Sequence, residues 1–253
     1  MIWITLSSVK TDIVDLVRLA EEVPAARFTA GMGDAIMSDT LDCVTQGLLR
    51  RIPKQERSRE RIDDILKVSM DLIGSKGIDA VTMKEIASLA GGPIASIYQY
   101  FPNKSAIVTT LYKGYVDGVE AVIRDGVAKV ETVDDLFVAI EYIFDHYHQS
   151  IRRTPALQDI LNAVQADKEL AVLDLKESRH HARIFSDATS RFVSPERREE
   201  FARMVFLMFH LAEAAVRLAL LADEDEAVFV IRDFKSASAV QMRRFLAGAE
   251  PTV

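Results

Sequence analysis

The segment from Thr82 to Lys104 constrains the fold of this chain more than any other, because helix starts and stops crowd within it. Thr82-Met83-Lys84-Glu85 is a capping box, in which a threonine hydroxyl accepts the third backbone N–H of a helix and the glutamate returns to the cap. Met83, Ile86, Ala87 and Ala90 then share the inward face of a short helix. Gly91-Gly92 breaks it, Pro93 suits the first position of a second helix over Ile94 to Tyr100, and Phe101-Pro102 ends that one. Asn103 caps a long third helix, Ser105 to about Asp125. Upstream, Ile62, Ile65, Leu66, Leu72 and Ile73 form one apolar face of a helix that starts near Ser58 and is closed by Gly74 and Gly77. A bracing helix, a glycine turn and a second short helix make a helix-turn-helix, whose second member fits the major groove of DNA.

Charge supports that reading once its position is considered. The 253 residues carry a net −7, which alone argues against nucleic acid. Between Arg50 and Lys104, however, ten Lys or Arg outnumber seven Asp or Glu, leaving −10 for the remainder, and six of those cations fall between Arg50 and Arg61. A basic stretch on an acidic chain is the electrostatic footprint of a DNA reader.

Sparse β-branched clusters and long runs of Ala, Leu, Glu, Arg and Met predict an all-α chain. Further helices are expected at Val133 to Arg153, Pro155 to Ala166, Lys168 to Phe192, Pro195 to Leu221 and Asp225 to Leu246. The single cysteine, Cys43, excludes an intrachain disulfide and fits a reducing cytoplasm. Met1 to Leu6 lacks the features of a signal peptide, and Met204 to Leu221 is interrupted by His210, Glu213 and Arg217, so no membrane span is expected. Residues 1–49 read as a variable extension, with a short helix after Asp12, a turn-rich linker at Thr29 to Asp34, and internal starts at Met32 and Met37. No P-loop, dinucleotide glycine pattern, nucleophile elbow or zinc-hydrolase motif is present, so neither enzymatic activity nor a cofactor is expected.

The run Ala87-Ser88-Leu89-Ala90-Gly91-Gly92-Pro93-Ile94-Ala95-Ser96-Ile97-Tyr98-Gln99-Tyr100-Phe101-Pro102-Asn103-Lys104, preceded by Thr82 to Ile86, resembles the DNA-binding signature of the TetR/AcrR family. The likeness covers about Arg57 to Val116. Two positions depart from the family pattern: Gly92 stands where valine is usual, which is expected to loosen the turn, and Pro93 stands where a capping serine is usual. The resemblance implies that Thr82, Tyr98, Tyr100 and Lys104 hold phosphates, extended by Arg57 and Arg59, while Ile94, Ala95, Ser96 and Gln99 face base edges. It also implies an N-terminal three-helix DNA-binding domain over 50–116, with the helix-turn-helix at about 82–101. A larger helical domain over 117–253 follows, which binds a ligand and dimerises.

The partners implied are double-stranded DNA with a palindromic operator, a second copy of the chain and an unidentified small molecule. Polar residues among apolar ones in the C-terminal part supply the ligand candidates: His146, Asn162, His210, Glu213 and Arg217, with His148, His180 and His181 as further histidines. Adjacent His180 and His181 point about 100° apart on a helix and complete no metal site. Helix 195–221 is apolar almost all round and needs a second buried face, so residues 195–246 are expected to pair across a two-fold axis. A ligand-binding or scaffolding protein with a non-functional helix-turn-helix is the open alternative.

Overall fold

A computed structural model describes residues 56–246. The expectations for residues 1–49 lie outside the described residues. The chain forms α1 (Glu56–Lys76), α2 (Met83–Leu89), α3 (Ile94–Tyr98), α4 (Lys104–Ala128), α5 (Val133–Arg153), α6 (Pro155–Ala166), α7 (Lys168–Thr189), α8 (Arg198–Leu221) and α9 (Glu224–Leu246). Short 3₁₀ turns at Ser190–Phe192 and Pro195–Arg197 join α7 to α8, and no strand occurs among the described residues.

All five apolar positions expected on α1 are buried, together with Ile86, Ile97, Phe101 and Ile107 from α2, α3 and the start of α4. This small core continues without a break into α6 through Ala156, Ile160 and Val164. Gly74 explains the closeness. It does not end α1, as the sequence suggested, but brings that helix against α6, where a Cβ would lie 3.5 Å from the Ala156 methyl. Gly77 is the true terminator: it adopts φ +80°, and its N–H bonds the Ile73 carbonyl at 2.8 Å.

The expected division near residue 116 falls inside α4, which runs unbroken from the first core into the second. Its N-terminus is fixed twice. Asn103 Oδ1 accepts the Ala106 N–H at 2.8 Å, and Lys104 Nζ donates to the carbonyls of Ile78 (2.7 Å), Val81 (3.1 Å) and Asp79 (3.4 Å) in the loop between α1 and α2. Near its far end, Tyr142 OH on α5 donates to Asp125 Oδ2 at 2.8 Å.

By length and composition, the run Pro195–Leu221 is long and apolar enough to cross a bilayer, which overturns the expectation that no stretch of the chain is. The hydrophobicity has another outlet here: one face of α8 packs Phe201, Val205, Val216 and Ala219 inward, while Leu207, Leu211, Leu218 and Leu221 remain exposed.

Replacing Lys104 with methionine keeps the aliphatic stem and removes three charge-assisted hydrogen-bond donors. It is expected to lower stability by about 2 kcal/mol, read as a fall in chemical-denaturation midpoint at unchanged slope.

Candidate nucleic-acid interface and effector cavity

The helix-turn-helix is set by its turn. Gly91 takes φ +72°, and the Gly92 N–H reaches back to the Ala87 carbonyl at 3.2 Å, so α2 closes as a Schellman motif. Pro93 is the cap of α3, one residue earlier than expected, and Ile94 is its first helical residue. Thr82 caps α2, its hydroxyl accepting the Glu85 N–H at 3.2 Å. Only that half of the expected capping box forms, because the Glu85 carboxylate pairs with Lys76 across the loop.

Gly92 does not loosen the turn. Arg61 on α1 reaches over it, donating to the Ala90 carbonyl and, at 3.3 Å, to Ser96 Oγ. A Cβ at position 92 would lie 2.5 Å from Arg61 Nη2. Glycine at this position therefore makes room for a guanidinium that ties α1 to both members of the helix-turn-helix.

The DNA-facing candidates divide accordingly. Thr82, Ile94, Ala95, Tyr98 and Gln99 are exposed and Tyr100 is partly so, on α2, α3 and the residues just beyond. Arg57 and Arg59 lie in the first turn of α1, and Arg59 is exposed. Two residues expected to meet DNA make hydrogen bonds within the protein. Ser96 Oγ donates to the Pro93 carbonyl at 2.7 Å and accepts from Arg61, while Lys104 directs its ammonium onto the α1–α2 loop.

Behind this domain lies a cavity of about 730 Å³, within the range of roughly 300–1,000 Å³ common to small-molecule sites. It is walled mainly by apolar side chains of α4, α5, α8 and α9, and it reaches Leu66 and Met70 on α1. Its polar groups are specific. Tyr112 OH donates to Asp174 Oδ1 at 2.7 Å, and Gln165 Nε2 donates to Asp174 Oδ2 at 2.7 Å. Tyr115 and Tyr147 share a hydrogen bond, and burial pushes both phenols well above their ordinary range. Burial, reinforced by the charge on Asp174 and opposed by Arg217, raises the Glu213 carboxyl to about 7. Burial lowers His181 to about 4, so its imidazole is neutral at physiological pH.

Of the ligand candidates read from sequence, His146 and Glu213 line this cavity. Asn162 and Arg217 line a small side pocket of about 30 Å³, which Glu213 also borders. His210 stands outside both linings: its Nδ1 lies 3.3 Å from Ser178 Oγ and 3.9 Å from Glu213 Oε2. His180 is exposed beside Glu120, at 3.2 Å, and His148 lies outside both linings.

Comparison with known proteins then decides the family. Residues 65–111 match the family of bacterial regulatory proteins, tetR family, and residues 134–246 match a tetracyclin repressor-like C-terminal domain. The chain belongs to the TetR family. Among curated proteins, the HTH-type transcriptional repressor KstR2 of Mycobacterium tuberculosis is 29% identical over 105 residues, covering 40% of this chain and 52% of that protein. KstR2 of Mycolicibacterium smegmatis is 24% identical over 103 residues, 39% of this chain and 49% of that one. The chain thus spans about half the length of the curated relatives it matches.

Two solved structures share the TetR fold. A TetR-family regulator from Streptomyces coelicolor has a TM-score of 0.57 at 20% identity, covering 74% of this chain and 99% of that one. The fatty acid degradation regulator FadR from Bacillus halodurans has a TM-score of 0.54 at 14% identity, covering 75% and 96%. In this TetR-family chain, sequence reasoning missed Tyr112, Tyr115, Tyr147, Asp174 and Arg61. Tyrosines at helical spacing read as ordinary core, and an arginine on an amphipathic helix reads as solvated surface.

The Glu213 carboxyl has a testable consequence for stability. Its folded value lies above the ordinary 4.5, so protonation of Glu213 favours the folded state below that pH, and the contribution fades as pH rises through 7. Glu213→Gln is neutral throughout. Its melting temperature should match the parent near pH 4.5 and exceed it by a margin that widens up to about pH 8.

Proposed function

We propose that this TetR-family protein is a cytoplasmic, homodimeric transcriptional repressor that binds a palindromic operator and leaves it when a small molecule fills the cavity. The observation that carries the reading is the continuity of α4. Its first turn is fixed to the loop ahead of α2, and Tyr112, Tyr115 and Val119 further along the same helix line the cavity. A ligand with different affinities for two placements of α4 would thereby change the placement of the DNA-binding domain. The relatives named as repressors support the sign of regulation.

In this reading α3 enters the major groove, with Ile94, Ala95 and Gln99 toward base edges. Thr82, Tyr98, Tyr100, Arg57 and Arg59 hold the backbone, where hydroxyls and guanidiniums act as donors to phosphate. Ser96 and Lys104 take supporting roles: Ser96 holds Arg61 in the turn, and Lys104 holds the loop that presents Thr82.

The dimer surface is the exposed stripe of Leu207, Leu211, Leu218 and Leu221 on α8, extended by Val228 and Phe229 on α9. The α8 residues repeat at intervals of three, four and seven, the spacing of one helix face, and solvent exposure of so contiguous a stripe is unfavourable in a monomer. Two copies packed as a four-helix bundle of α8 and α9 would cover it and set two recognition helices about one DNA turn apart.

Three variants test these roles on duplexes carrying the protein's own upstream DNA. Gln99→Ala should change base preference at one position by roughly tenfold, since a bidentate base contact contributes about 1–3 kcal/mol of discrimination. Tyr98→Phe should weaken all sequences alike. The double variant Leu211→Glu, Leu218→Glu should sediment as a monomer and lose about a hundredfold in operator affinity, because the second half-site is no longer bound in tandem. A dimeric double variant with unchanged affinity would place the interface elsewhere.

A further inference from the structure

The charged groups of the cavity lining are mostly carboxylates. Five carboxylates line it, on Asp63, Asp71, Asp174, Glu177 and Glu213, against the two cations Lys67 and Arg153. Asp174 has both oxygens bonded, by Tyr112 and Gln165. Glu213 is placed differently. His210 Nδ1 stands 3.9 Å away, beyond hydrogen-bond reach, and Arg217 borders the side pocket but not the main cavity.

A second, independent observation points the same way. His181 lines the cavity with only 6% of its surface exposed, and its Nε2 is buried without a hydrogen-bond partner. Burial keeps the ring neutral, so it adds no positive charge to offset the carboxylates. Asp174 acts electrostatically on both His181 and Glu213.

We propose that the effector is a lipophilic amine, bound as its ammonium ion with an N–H donor on Glu213 and with its hydrocarbon in the apolar remainder of the cavity. This rests on the effector role given to the cavity above and specifies its chemistry. The surplus of carboxylates repels an acid and attracts a cation, and the low dielectric of the cavity strengthens both effects. Tyr115 and Tyr147 also line the cavity.

The groups facing Glu213 are Tyr112 and Tyr115 on α4, Tyr147 on α5, Asp174 on α7, and His210 and Arg217 on α8. Of these only Arg217 carries a permanent positive charge, and the Asp174 carboxylate opposes it, so an ammonium ion beside the ionised Glu213 meets net negative charge. An amine that needs Glu213 ionised finds about a tenth of the sites competent at pH 6 and about nine-tenths at pH 8, a gain of roughly tenfold across the interval.

Calorimetric titration of the full chain, without DNA, with decylamine, decanol and decanoate tests this at pH 6 and pH 8. Decylamine should bind at least about tenfold tighter than either partner at pH 8 and lose most of that advantage at pH 6. In Glu213→Gln the amine preference should disappear while decanol binding persists, which also shows that the variant is folded. Decanoate or decanol binding as tightly as decylamine, or decylamine binding that weakens from pH 6 to pH 8, would overturn the assignment. Release of operator DNA is measured separately: selective amine binding that leaves DNA bound supports the ligand class and contradicts the effector role, whereas release by decanol or decanoate alone does the reverse.

Discussion

The contact between Lys104 and the carbonyls of Ile78 and Val81 fixes the relation on which the rest of the molecule depends. A loop between two helices has few apolar contacts of its own, and a helix N-terminus leaves its first N–H groups without partners. Here each supplies what the other lacks. The ammonium satisfies loop carbonyls, Asn103 satisfies the helix, and the two cores on either side are joined by a single rod of 25 residues. A rigid element shared by two sites is the physical requirement for one to bias the other, and α4 meets it without a hinge between them.

The cavity raises the opposite problem, polar groups in an apolar enclosure. Asp174 is stabilised by two donors, and the tyrosine pair by each other. Among the described residues His181 Nε2 is buried without a partner, and burial raises the Glu213 carboxyl while it lowers the His181 imidazole. Polar groups held at a cost in an apolar enclosure gain most when a complementary ligand arrives, which favours a preformed site over an accident of packing.

Much of the frame was legible because caps and periodicity are local. Val133 to Arg153 and Pro155 to Ala166 fall where the sequence placed them, since Thr132, Thr154-Pro155 and Asp167 punctuate the chain. The five-residue apolar face of α1 was equally plain. What failed was non-local. Gly92 and Ser96 could be understood only once Arg61, more than thirty positions upstream, was seen beside them. Gly74 read as a breaker, yet its role is to let α6 approach. Asp174 gave no sign of its importance because its partners, Tyr112 and Gln165, come from two other helices.

The most direct measurement is sedimentation of the full chain with a labelled duplex from DNA upstream of its own coding region, beside a scrambled duplex of equal length. Two protomers per cognate duplex are expected, with a preference of about a thousandfold or more over the scrambled sequence at physiological salt. Equal binding to the two duplexes, or a single protomer saturating the cognate one, would contradict a dimeric, sequence-reading regulator.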